Sequence, residues 1–497
     1  MPAIRLRLPV DPRHCQLLGL VGSTALAAGG VSAGALPVRE VLDPGSGRAA
    51  LGLVGVYFGL VLLIVAWWLL GRAVRGARPP APRTLLLTLV LWAVPLVVAP
   101  PLFSRDVYSY LAQGAMVDAR LDVYAYGPSR LGGPLTAEVA PLWRDTPTPY
   151  GPVFLACASF VAGLTRAQMS TGVFGMRLVA LVGLALMAAA LPRLARHCGA
   201  DPAAALWLGA LNPLVLLHLV GGAHNDAVML GLLGAGLVAA LGGRPVVATV
   251  LVTFAALVKA PAALGLVAVA LLWARQMTTP RERASWIPAL RLRVPWHRHP
   301  LLTACLGVPA VCAVTTAATT ALTGTGYGWL TALDTPVSPG NWSLTTTLGR
   351  MTTTLLQDAG TALAPFAPFA APAWHLLGLA ATALATLIAW RRHHALRPVY
   401  ALGLSLMAVA LLGPAIRPWY LLWGLFLIAA AGPVHSVRRS VAAASGVLAL
   451  AVLPSGFAPA GPQLALAVAG GLLAVAALWC AHRVARRSVH RALASTA

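Results

Sequence analysis

Long apolar stretches separated by short polar clusters dominate this 497-residue chain. Runs of about twenty apolar residues match the length a helix needs to cross a ~30 Å hydrocarbon core. Neither the alternation of half-buried strands nor the charged face of soluble helices is present. The pattern predicts spans at about 17–36, 51–71, 84–101, 173–195, 203–220, 227–242, 300–323, 372–390, 399–414, 419–433, 440–457 and 463–481. Two short arms, 246–258 and 261–274, form a further hairpin meeting at Lys259-Ala260-Pro261. This is an all-α, polytopic membrane bundle of about 14 transmembrane helices, with the whole chain, 1–497, as one domain.

Two long polar-rich intervals interrupt the pattern, 102–150 and 324–371. Between the first and the next long run lies 151–165, which is short for a crossing at ~1.5 Å per residue. If it crossed, Arg193, Arg196 and His197 would be carried outward, against the bias of basic residues toward the cytoplasm. It is therefore expected to lie in the outer leaflet. On that reading 102–171 is an extracytoplasmic, interfacial segment with one or two helices along the membrane surface. The segment 275–299 becomes a basic cytoplasmic loop and 324–371 a second extracytoplasmic one.

Composition sharpens this. The chain is 59% apolar and 10% charged, with a net charge of +23. Such a charge invites a nucleic-acid reading, but its distribution argues against that partner. Arg72, Arg75, Arg78 and Arg83, the loop 275–299, Arg391 and Arg392, and the C-terminal tail all fall on one side of the predicted membrane. That is the positive-inside asymmetry, and it places both termini in the cytoplasm of a plasma-membrane protein. Arg5, Arg7 and Arg13 before an apolar run imitate a signal peptide; the first span is expected to be retained, because the topology needs it. The six cysteines lack metal-ligand spacing and read as small buried residues.

Ionisable residues near membrane depth cost roughly 2.5–3.5 kcal/mol or more each, so they are functional candidates. Four clusters qualify, all on the extracytoplasmic side. Asp106 sits in FSRDVYSYLAQG, between Arg105 and the pair Tyr108 and Tyr110. His224, Asn225 and Asp226 form an outer turn; Lys259, the only lysine of the chain, occupies the hairpin tip; Arg417 lies in PAIRPWY beside Trp419 and Tyr420. An acid for proton abstraction, an acidic turn for hydroxyls and two cations for a phosphate make an inventory for glycosyl transfer. Each has a blander reading. Asp106 suits a helix first turn, Asn225 or Asp226 a helix cap. Lys259 suits snorkelling to lipid phosphate, and Arg417 an interfacial anchor. Their shared side favours the joint reading.

With these motifs the chain resembles the GT-C glycosyltransferases. More narrowly, SRDVYSYLAQG, TPYGP at 148–152 and GGAHND resemble the actinobacterial polyprenol-phosphate-mannose-dependent α-1,6-mannosyltransferases that build lipomannan, over roughly 80–433. The resemblance implies a GT-C-type bundle with a long extracytoplasmic catalytic loop. It implies inverting transfer of mannose from polyprenyl-phosphate mannose to a glycolipid acceptor on the outer face of the membrane. Asp106 would be the catalytic carboxylate, and Lys259, Arg417 and Arg105 would meet the donor phosphate. His224, Asn225, Asp226, Tyr108, Tyr110 and Trp342 would contact sugar or acceptor. Many members carry a DxD-like pair where this chain has Arg-Asp; no metal cofactor is implied, and a divalent ion is left open. Transfer of another sugar, such as arabinose, is the nearer alternative. A transporter or flippase is the remoter one, since it predicts internal repeats that the halves do not show.

Overall fold

The computed structural model describes residues 11–43, 45–278, 299–331, 341–456 and 461–494. Most of the basic segment 275–299, with Trp286 and Trp296, lies outside the described residues. Among the described residues every regular element is helical. The principal helices are α1 (Pro12–Ala33), α2 (Gly47–Val74), α3 (Pro82–Val98), α4 (Asp106–Asp118), α5 (Pro152–Thr165) and α6 (Met169–His197). Then come α7 (Pro202–Gly209), α8 (Asp226–Leu241), α9 (Pro245–Ala256), α10 (Gly265–Thr278), α11 (Pro300–Thr323) and α12 (Leu344–Asp358). The chain closes with α13 (Ala367–Arg391), α14 (Pro398–Leu412), α15 (Leu421–Ala431), α16 (His435–Ala449) and α17 (Gly461–Ala494).

Local chemistry explains many of the starts. Proline opens α1, α3, α5, α7, α9, α11 and α14, where its missing N–H costs nothing and its fixed φ fits. Side-chain oxygens of Asp11, Ser46, Asp201 and Ser343 cap α1, α2, α7 and α12. Among the described residues seven helices are long and apolar enough to cross a membrane, or eight if a bent pair at Val215–Gly221 and Asp226–Leu241 is one broken span. Five more are apolar but shorter. The chain is a membrane protein, and length and composition alone support fewer crossings than the apolar pattern suggested. One reason is that the run 203–220 is divided into α7 and a separate turn at Val215–Gly221.

Packing follows membrane rules. Gly22 and Gly29 of α1 meet Gly59 and Gly52 of α2 so closely that a Cβ on any of them would come within 2.8 Å of a facing backbone oxygen. Small residues let helices approach where lipid removes the hydrophobic drive between them. The centre of the bundle is α8 and α15, the latter buried from Leu421 to Ala430. At the periphery α11, α13 and α17 leave most of their apolar surface uncovered, as helices facing lipid do.

Two contacts sort the ends of the bundle. Ala35, after α1, donates its N–H to Pro101 O beyond α3. At the opposite end Arg75, just after α2, stacks on Trp207 of α7, 4.7 Å from the ring centroid, and Arg397 donates to Cys198 O after α6. The helix α5, which takes up nearly all of 151–165 from Pro152 on, follows α4 in the same direction: Tyr110 meets Phe154, and a Cβ on Gly114 would reach Ala158 O. The chain reverses at Arg166 and Ala167, both with positive φ, and enters α6. Roughly two turns later, Arg177 already donates to Val97 O and Ala99 O at the end of α3. The α5–α6 turn and the far end of α6 therefore lie on opposite sides of that level. Thus α5 does not run the length of the bundle, and Arg193, Arg196 and His197 are carried to the end away from Asp106.

Candidate active site

The chain reaches the site through a π-helical turn, Val215–Gly221; π-turns are rare and concentrate at functional sites. Gly221 O accepts from Leu102 N at 3.2 Å and from the buried Arg177 at 3.1 Å. The backbone then bends by 109° before α8, with Ala223 at φ 53° and no side-chain cap on the helix. The bend turns His224, Asn225 and Asp226 into the protein, where none is more than 1% exposed.

Four stretches of sequence meet there. His224 Nδ1 lies 3.7 Å from Asp106 Oδ2 and 3.2 Å from Tyr110 Oη. Tyr110 also donates to Asn225 Oδ1 at 3.4 Å. Lys259 donates to both oxygens of Asp226 at 3.0 Å, and Trp423 Nε1 donates to one of them at 2.5 Å. The His224 ring stacks on Trp419, with centroids 3.9 Å apart. The blander readings of the turn and the lysine do not describe these contacts: Asn225 and Asp226 cap nothing, and Lys259 points to a carboxylate.

Asp106 opens α4 and faces a cavity of about 350 Å³ lined by Ser104, Trp143, Trp342, Arg417 and Trp419. Its backbone N–H donates to Ser104 Oγ at 3.1 Å, and 23% of its side chain stays exposed. Surrounding protein pushes its pKa up, Arg417 and then Lys259 oppose the rise, and Asp226 adds to it. Among the described residues no hydrogen bond or ion pair engages the Arg417 guanidinium. Its position is set by its loop: Asn341 Oδ1 accepts from Ile416 N at 3.2 Å and Ser343 N at 2.9 Å, while Ser343 Oγ donates to Pro414 O. Trp342 between them is 44% exposed. Among the described residues no three His, Cys, Asp or Glu gather as a cation site.

Two expected site residues stand apart. Arg105 touches the cavity, but its guanidinium is bound elsewhere, to Glu138 Oε2 at 2.8 Å, Glu138 O, and Leu36 O at 2.7 Å. Tyr108 is buried and donates to Ala35 O at 2.8 Å, on the side of α4 away from Asp106. The sequence reading also missed contributors. Tyr150 packs edge-on to Tyr110, and Tyr420, Trp423 and Tyr150 surround the Lys259 ammonium at 4.9, 5.4 and 5.9 Å from their centroids. Trp423 was recoverable: it follows Trp419 by four residues, one helical turn, on the same face. His218 at 4.9 Å from Trp419 looked like any apolar-helix histidine.

An all-helical membrane bundle with an acid, a histidine and a cation converging at one end defines an integral membrane protein with a built polar site. The chain belongs to the alpha-(1->6)-mannopyranosyltransferase family. The profile of that family's N-terminal domain matches residues 16–275, and an MptB C-terminal domain profile matches 345–480. The chain is 36% identical to alpha-(1->6)-mannopyranosyltransferase A of Mycobacterium tuberculosis, over 86% of this chain and 82% of that protein. It is 31% identical to alpha-(1->6)-mannopyranosyltransferase B of Corynebacterium glutamicum, over 89% and 77%.

Proposed function

We propose that this membrane protein is an inverting mannosyltransferase that moves mannose from polyprenyl-phosphate mannose to a glycolipid acceptor, forming α-1,6 linkages of lipomannan. The observation that carries the reading is one cavity holding the Asp106 carboxylate and the Arg417 guanidinium, which no hydrogen bond or ion pair engages among the described residues; these are the two charges such a reaction needs. Asp106 takes the proton of the acceptor hydroxyl as that oxygen attacks the anomeric carbon. The bond from that carbon to the phosphate oxygen breaks on the opposite face, and its electron pair leaves with the polyprenyl phosphate. Arg417 compensates the charge that develops there. A β-linked donor then gives the α product. His224 and Tyr110 hold the carboxylate side of the cavity, and Trp342 offers a face for a sugar ring.

Topology follows from charge. The end carrying Arg72, Arg75, Arg196 and His197 is the cytoplasmic one, so the Asp106 cavity opens extracytoplasmically and both termini are cytoplasmic. With α5 left out, α3, α7 together with the Val215–Gly221 turn, α8, α9, α14, α15 and α16 join the seven longer helices to complete about 14 crossings. Incubating purified protein with labelled polyprenyl-phosphate mannose and a short mannoside, then analysing the linkage, tests the reading. An α-1,6-extended product supports it; no mannosyl product, or one formed only from an arabinosyl donor, overturns it.

A further inference from the structure

We propose that Lys259 and Asp226 form a positioning pair that locks the bend carrying His224 against Asp106, and that Lys259 is not a ligand of the donor phosphate. The inference rests on the mannosyl-transfer reading and changes the part played by its only lysine.

Saturation is the first observation. Asp226 is fully buried, and its carboxylate accepts from Lys259 through both oxygens at 3.0 Å and from Trp423 Nε1 at 2.5 Å. The Lys259 side chain is 14% exposed, and its ammonium has this carboxylate on one side. The faces of Tyr420, Trp423 and Tyr150 complete a shell that satisfies a cation without any ligand. Neither residue lines the cavity that holds Asp106 and Arg417. A phosphate reaching Lys259 would have to displace Asp226 and open that shell, whereas Arg417 lines the cavity with no hydrogen bond or ion pair on its guanidinium among the described residues.

Connectivity is the second. The pair joins the first residue of α8, the junction between α9 and α10, and α15 through Trp423. The 109° bend before α8 has no side-chain cap, so a tertiary contact must hold it. Asp226 lies two residues after His224, whose Nδ1 sits 3.7 Å from Asp106 and whose ring stacks on Trp419. Releasing Asp226 releases the peptide that aims His224. The charges also balance: an unpaired Asp226 or Lys259 would act on the nearby Asp106 carboxylate, and the pair keeps the net effect small.

The test is a double-substitution cycle on the full-length purified protein, read by steady-state transfer and by thermal unfolding. Lys259→Met leaves a buried, uncompensated carboxylate. It should lower kcat by about 10²-fold or more, with donor KM within roughly threefold of wild type, and should move the acid limb of the kcat profile to higher pH. Combining it with Asp226→Asn should recover at least about tenfold of that kcat and return the limb toward wild type. A donor KM raised tenfold or more with kcat preserved would put Lys259 on the phosphate and overturn the proposal. Additive losses in the double variant would overturn the pairing. If wild type transfers no mannose, the functional reading fails, and unfolding still decides the pair: each single variant should melt lower, and the double variant above both.

Discussion

Truncating Glu138 to alanine tests whether Arg105 serves as a strut for the cavity wall. Arg105 and Glu138 are 9% and 3% exposed, which excludes the solvent screening that makes surface pairs nearly neutral. The guanidinium gives one bond to Leu36 O at 2.7 Å, two to Glu138 O at 3.3 and 3.1 Å, and one to Glu138 Oε2 at 2.8 Å. The same Oε2 accepts from Val38 N at 2.7 Å. Alanine removes the only anion the guanidinium touches among the described residues and strips the Val38 amide of its acceptor. Breaking a buried pair on one side costs about 3–5 kcal/mol, and an orphaned amide about 1–3 kcal/mol. Because water can enter at this end of the bundle and replace part of the loss, about 3–5 kcal/mol is expected in total. The double variant Glu138→Ala with Arg105→Met removes both charges and should regain most of it. Denaturant titration of purified protein in mixed micelles, followed by tryptophan fluorescence, measures both. A loss under about 1 kcal/mol for Glu138→Ala, the cost of an exposed pair, would refute the strut, as would a double variant no more stable than the single one. A tenfold rise in donor KM on Arg105→Met, with unfolding unchanged, would assign Arg105 to the donor instead.

Other outcomes follow from the same cavity. Arg417→Gln should raise donor KM by about tenfold or more, since charge-assisted bonds are worth about 1.5–3 kcal/mol; unchanged donor KM in steady-state transfer would remove Arg417 from the phosphate. Asp106 acts ionised, and burial raises its pKa, so activity should fall with decreasing pH at a limb above the ordinary carboxylate value of about 3.9. Because Arg417 lowers that pKa, Arg417→Gln should move the limb further up. A pH–kcat profile flat to the ordinary value, or a limb moving down in the variant, would contradict this sign.

Much of this architecture is legible in the sequence because hydropathy and arginine placement report on one solvent boundary. The apolar run at 173–195 appears as α6, and the hairpin tip at Lys259 falls between α9 and α10. The α6 arginines also fall at the end away from Asp106. What hydropathy does not encode is lateral contact between helices distant in sequence. It could not say that Arg105 turns from the cavity to Glu138, since both are simply charged residues in one polar interval. Nor could it say that Lys259 meets Asp226, a carboxylate 33 positions earlier. Tyr108 and Tyr110 show the same limit. On α4 they point to opposite sides, Tyr108 to Ala35 and Tyr110 to His224, a distinction that helical phase explains only once the helix and its neighbours are known.

The central claim is that the Asp106 carboxylate is the base of mannosyl transfer. The most direct measurement is kcat for Asp106→Asn in proteoliposomes with a lipid-linked mannose donor, the inserted amount being quantified on the same preparation. Asparagine keeps the shape of the side chain and removes its basicity, so kcat should fall by about 10²–10⁴-fold at wild-type levels of inserted protein. A variant that inserts normally and transfers mannose within about threefold of the wild-type rate, well inside the range of general-base catalysis, would contradict the assignment.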